Sequence, residues 1–104
     1  MKKLIGTITR TMVIATLMAS TGHAIAGDAA AGQAKSAACA GCHGANGISP
    51  NDLWPNLAGQ KATYLSKQIK AFRDGQRNDP MMSNMVKTLT DQDADDLAAY
   101  YSGL

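Results

Sequence analysis

The sequence predicts an all-α fold of three to five short helices. Three observations carry that expectation. No segment alternates apolar and polar residues for the length of a strand. Apolar residues recur at helical spacing at Leu65, Ile69 and Phe72, and again at Ala94, Leu97, Ala98 and Tyr101. Start and stop residues bracket the helical stretches: Asp28 and Thr90 at the front, Gly75 at the back.

Asp28 suits the cap of a first helix through the alanine-rich stretch 29–39. Gly32 lies inside it, where glycine costs about 1 kcal/mol relative to alanine, so close approach of another element is expected there. Gly41 and Gly44 should end this helix. Residues 44–60, rich in Gly, Asn and Pro, read as an ordered loop in which Trp54 packs into the core. A second helix is expected over 61–74, stopped by Gly75. Asn78-Asp79-Pro80 reads as a turn or helix start leading into three methionines. The last helix begins near Thr90, where Thr90 and Asp93 have the spacing of a capping box. Asp91, Asp93, Asp95 and Asp96 are expected to form a solvated helix start.

Residues 1–26 read as a secretory signal peptide. Lys2, Lys3 and Arg10 are its positive start, Met12–Ala19 its apolar stretch, and Ala24-Ile25-Ala26 its small-x-small cleavage site. The apolar stretch is well short of the roughly 20 residues of a membrane span. The mature chain would be one domain, 27–104, small enough to need a staple beyond its own core. Seven Lys and Arg remain beyond residue 26 against eight Asp, so the net charge moves from +2 to −1. That balance excludes nucleic-acid binding as a reading of charge.

Cys39-Ala40-Gly41-Cys42-His43 is a C-x-x-C-H run, the attachment site of a c-type haem. Two thiols can add across two vinyl groups, and the adjacent histidine can supply an iron ligand. Such attachment takes place outside the cytoplasm, which agrees with the leader. A redox dithiol would sit near a βαβ pattern, absent here. Two cysteines and one adjacent histidine also make a poor tetrahedral zinc site.

The ligand inventory narrows the iron's surroundings. His23 leaves with the leader, so His43 is the only histidine of the mature chain. A bis-histidine haem within one chain is excluded. Met81, Met82 and Met85 are the remaining methionines, and any of them can serve as the second axial ligand; the others would pack.

The ordered set Cys39–Gly44, Trp54–Gln60, Tyr64-Leu65 with Gln68, Phe72-Arg73, Met82–Met85 and Leu97–Tyr101 resembles the class I cytochromes c. It is similar to small bacterial monohaem cytochromes c and to one half of the two-haem periplasmic cytochromes c. The resemblance implies one haem c held through Cys39 and Cys42, with His43 as proximal ligand. It implies that the carbonyl of Pro55 accepts a hydrogen bond from the other ring nitrogen of His43. It places the distal methionine seven residues before Leu89, at Met82, with Met85 next and Met81 third. It also sets Gly32 against Tyr100 where the first and last helices cross.

The function implied is a periplasmic electron carrier rather than an enzyme, with peripheral or no membrane contact. Its donor would be a quinol-oxidising complex or dehydrogenase, its acceptor an oxidase, peroxidase or reductase. A gas-binding or peroxidase-active haem protein is the first rival and requires an open distal position. A haem-free dithiol or metal protein is the second, and an electron-entry subunit bound to one dehydrogenase the third. Lys61, Lys67, Lys70, Arg73 and Arg77 form a basic stretch that reads either as a docking surface or as a solvated helix face. Arg73 or Arg77 is alternatively a partner for a haem propionate.

Overall fold

Five helices make up the regular structure of the computed structural model, which describes residues 6, 12, 14–16 and 27–104. The expected leader, and the domain boundary at residue 27, fall largely outside the described residues. No strand occurs among those described, and none of their helices is long and apolar enough to cross a membrane.

Asp28 caps α1 (Ala29–Lys35) through its carboxylate, which accepts from the N–H groups of Ala30 and Ala31. The expected single first helix is two. Both the hydroxyl and the N–H of Ser36 turn back to the carbonyl of Gln33. That local bond competes with the helical ladder, and α2 (Ala37–His43) resumes beyond it. α2 continues through Gly41 and stops at Gly44. A loop then leads to α3 (Ala62–Asp74), which ends at Gly75. α4 (Met82–Met85) is one turn, and α5 (Asp91–Ser102) closes the chain. Thr90 and Asp93 make both bonds of the capping box at the start of α5, each at 3.0 Å.

α5 is the hub, packing against both α1 and α3. Leu65 of α3 joins Leu97, Ala98 and Tyr101 of α5 in the core, and Val86 and Ala94 are buried as well. Burying a leucine side chain stabilises by about 1.5–3 kcal/mol, so so short a roster leaves little margin. Gly32 permits the α1–α5 crossing. A Cβ there would lie 1.9 Å from the Asp96 carbonyl oxygen and 2.9 Å from Cβ of Tyr100. The glycine therefore makes room for the backbone of α5 as much as for the tyrosine.

The aspartates of α5 are not simply a solvated start. Asp96 is buried and accepts from Asp28 N–H, Gln92 Nε2 and Lys35 Nζ, at 2.8, 2.7 and 2.6 Å. Asp93 also pairs with Lys35, Asp95 with Lys70, and Asp91 with Arg73. The helix places these carboxylates within reach of cations on α1 and α3, which sequence spacing does not reveal. Lys70 and Arg73 are consequently occupied, and the basic stretch is no continuous free surface.

Candidate haem site

α2 sets Cys39, Cys42 and His43 on one face, because residues three and four apart share a side of a helix. All three line a cavity of about 550 Å³, within the range of roughly 300–1,000 Å³ usual for small-molecule sites. Its far walls come from every later part of the chain. The loop supplies Trp54, Pro55 and Leu57; α3 supplies Leu65, Ile69 and Phe72; the segment around α4 supplies the three methionines; α5 supplies Leu97 and Tyr101. Trp54 therefore faces the cavity, half-buried, instead of joining the core.

His43 is 5% exposed, and its Nδ1 donates to the Pro55 carbonyl at 2.7 Å. A carbonyl can only accept, so Nδ1 carries the proton and Nε2 keeps its lone pair. Nε2 makes no hydrogen bond among the described residues, and no sealed, unpartnered side-chain nitrogen or oxygen occurs among them. The ring is thus fixed in the tautomer and orientation a metal ligand needs.

The loop holds Pro55 in place through Gly47, whose carbonyl accepts from the N–H groups of Leu57 and Ala58 at 2.8 and 3.0 Å. Gly47 is at φ +77°, and a Cβ there would meet Ala58 N at 2.9 Å and the Tyr101 ring at 3.1 Å. Tyr101 is buried beside Cys39. Burial first, then the neighbouring thiol, pushes its hydroxyl up to about 12, while burial also pushes the Cys39 thiol up.

Asp79 organises the methionine segment. Its Oδ1 accepts from Met81 and Met82 N–H at 2.9 and 2.8 Å, starting α4. All three methionines reach the cavity, but Met81 and Met85 are 52% and 50% exposed and Met82 is more covered. No cluster of three or more His, Cys, Asp or Glu that could hold a metal by itself occurs among the described residues. What the site offers instead is two thiols, one imidazole, three thioethers and an apolar enclosure. Those donors suit an iron already held in a large apolar macrocycle, and they fit a c-type haem.

The family model for cytochrome c matches residues 29–104. The chain belongs to the cytochrome c family. Its cofactor is a covalently bound c-type haem, and its chemistry is electron transfer. It is 52% identical over 80 residues to cytochrome c-554(548) of Halomonas halodenitrificans, covering 74% of this chain and 96% of that one. It is 43% identical over 96 residues to a thiosulfate dehydrogenase electron acceptor of Thiomonas intermedia, covering 91% of this chain and 44% of that one. The crystal structure of reduced cytochrome c4 from Pseudomonas stutzeri superposes with a TM-score of 0.70 at 44% identity, over 74% of this chain and 45% of that one. The cytochrome c fold here thus spans nearly all of one relative and under half of two longer ones.

Proposed function

We propose that this cytochrome is a periplasmic single-electron carrier whose haem is attached through Cys39 and Cys42, with His43 and Met82 as axial ligands. The observation that carries the reading is the His43–Pro55 hydrogen bond, which leaves Nε2 free in a cavity shared with both thiols and Met82. When bound, the haem supplies an iron that gains and loses one electron. The chain's part is to fix that iron's surroundings. Pro55 holds the imidazole so that it cannot turn between oxidation states. Asp79 and α4 hold Met82 so that the second position is filled and small oxidants are kept out. The greater cover of Met82 supports it over Met85 and Met81.

The protein is read as a carrier and not an enzyme: of the acid–base groups that line the cavity, Lys35 is held by Asp93 and Asp96, Asp79 by the N–H groups that start α4, and the thiols and His43 are those the haem would engage. Its partners are redox proteins. A dehydrogenase as donor is supported by likeness to a protein named for accepting electrons from one. A quinol-oxidising complex is the other donor, and an oxidase, peroxidase or reductase the acceptor. The signal-like sequence 1–26, with cleavage before Gly27, supports export and a mature domain over 27–104.

The test is the absorption spectrum of the purified protein, oxidised, reduced, and reduced under carbon monoxide. Low-spin c-type bands, a weak far-red methionine–iron band when oxidised, and indifference to carbon monoxide are expected. Met82→Ala should abolish the far-red band and Met85→Ala should keep it. A reduced protein that binds carbon monoxide would turn the reading toward gas binding or peroxide chemistry.

A further inference from the structure

Beyond residue 26 the chain carries six sulfur or imidazole donors: Cys39, Cys42, His43, Met81, Met82 and Met85. A loaded haem engages four of them. Attachment takes the two thiols, and the iron takes His43 and Met82. The thioethers of Met81 and Met85 are left over.

Their backbone is fixed. Asp79 Oδ1 accepts from Met81 N–H at 2.9 Å, and Met85 N–H donates to the Met81 carbonyl at 3.0 Å. Asn84 Nδ2 braces the same turn by donating to the Pro80 carbonyl at 2.7 Å. Met81 and Met85 therefore stand one helical turn apart, where side chains share a face. Both reach the cavity wall, yet they are 52% and 50% exposed. A side chain left half in water gains only part of its burial energy, so packing accounts for only part of each.

A thioether sulfur is polarisable and selects soft ions such as Cu(I) over Mg or Ca. Methionine is unbranched and turns about three bonds. Two such side chains a turn apart can close on one ion from opposite sides, the near-linear arrangement that Cu(I) and Ag(I) accept. We propose that Met81 and Met85 form a binding site for one soft monovalent metal ion of the Cu(I) class, at the rim of the cavity and separate from the iron's own ligands. The inference rests on the reading of Met82 as the axial ligand.

The charges nearby suit a cation. Asp79 is the acidic side chain of this segment, and it pairs with no Lys or Arg among the described residues. Its carboxylate lies at the start of the same turn and attracts positive charge. Arg77 is drawn aside, with Nη1 on Gln68 Oε1 at 2.9 Å and its guanidinium 4.4 Å from the centre of the Phe72 ring. A hard cation needs six or more oxygens, and this turn offers it one carboxylate already engaged by two N–H groups. The selectivity is therefore set by sulfur.

The experiment titrates silver(I), which stands in for Cu(I) and exchanges no electron with ferric iron, into the ferric, haem-loaded protein purified after export. Its start at Gly27 is checked by mass, and the buffer is free of chloride. Calorimetry counts the ions bound, and the far-red methionine–iron band follows Met82 in the same samples. The native protein should take up one ion with that band unchanged, and magnesium should not compete. Met81→Leu and Met85→Leu keep the bulk of each side chain. Each should lose most of the binding, and the double variant all of it, with native helical circular dichroism. No silver uptake by the native protein would overturn the inference, as would equal uptake by the double variant. Loss of the far-red band as silver is added would overturn it too, because the ion would then be taking Met82. A far-red band missing before any silver, from the native protein or from either single variant, would overturn the reading of Met82 as axial ligand first, and this inference with it.

Discussion

Arg73 Nη1 donates to the carbonyl of Leu89 at 3.1 Å, tying α3 to the end of the segment that carries the methionines. The same guanidinium holds Asp74 and Asp91 at 2.7 and 2.8 Å, and its side chain is only 18% exposed. Asp79 fastens the other end of that segment. Arg73→Gln should release one end while leaving the helices intact. In a denaturant titration of the oxidised protein, the far-red methionine–iron band should disappear well before the helical circular dichroism. In the native protein the two should be lost together. Coincident loss in the variant would show that Arg73 supports the fold generally and not the distal ligand.

Gly32→Ala should be destabilising, since its Cβ has no place beside the Asp96 carbonyl. Overpacking of this kind costs about 1–3 kcal/mol. The urea midpoint of the haem-loaded protein should fall accordingly. An unchanged midpoint would mean that α1 can move away from α5 at no cost.

Asp96 gives a pH-dependent prediction. Lys35 first, then the Asp28 N–H and Gln92, hold its carboxyl down at about 2, below the ordinary value of about 3.9. The folded state therefore favours the ionised form. The stabilisation is complete above the unfolded value and is lost as pH falls through about 2. Asp96→Asn should lower Tm at pH 7, and the gap between variant and native protein should close progressively on acidification toward pH 2. A gap independent of pH would assign the loss to packing and not to charge.

Gly47→Ala tests the loop that carries Pro55. A left-handed backbone costs a non-glycine residue about 1–2 kcal/mol, and here the added Cβ also meets Ala58 and Tyr101. Loss of at least that much stability is expected by urea titration, with the loop around Pro55 becoming the first site of limited proteolysis. Native-like resistance to proteolysis would show that the loop is held by other contacts.

Much of this molecule is legible because its signals are local. Thr90 and Asp93 sit three apart, and the capping box follows; Leu65, Ile69 and Phe72 recur at helical spacing, and α3 follows. The C-x-x-C-H run states its chemistry in five consecutive residues. What was not legible depends on pairs distant in sequence. Asp96 looks like any aspartate of a helix start until α1 brings Lys35 and the Asp28 N–H to it. Nothing local separates Arg73 from Arg77, yet one is spent on Leu89 and two aspartates while the other stands at the cavity. Ser36 breaks the first helix through a hydroxyl bond that helix propensity does not register. Trp54 looks like a core residue because its large apolar ring demands cover, and the sequence cannot say whether protein or cofactor provides it.

The placement of Leu97 and Tyr101 on the cavity wall bears on how the protein is made. The thiols of α2 are synthesised first, while the wall that faces them belongs to α5, which follows only after α3 and α4. A chain cut short before α5 still displays the complete attachment motif but has no chamber to receive the ring. Closure of the cavity therefore waits on synthesis of α5, and a product terminated before it carries the address for its cofactor without a room behind it.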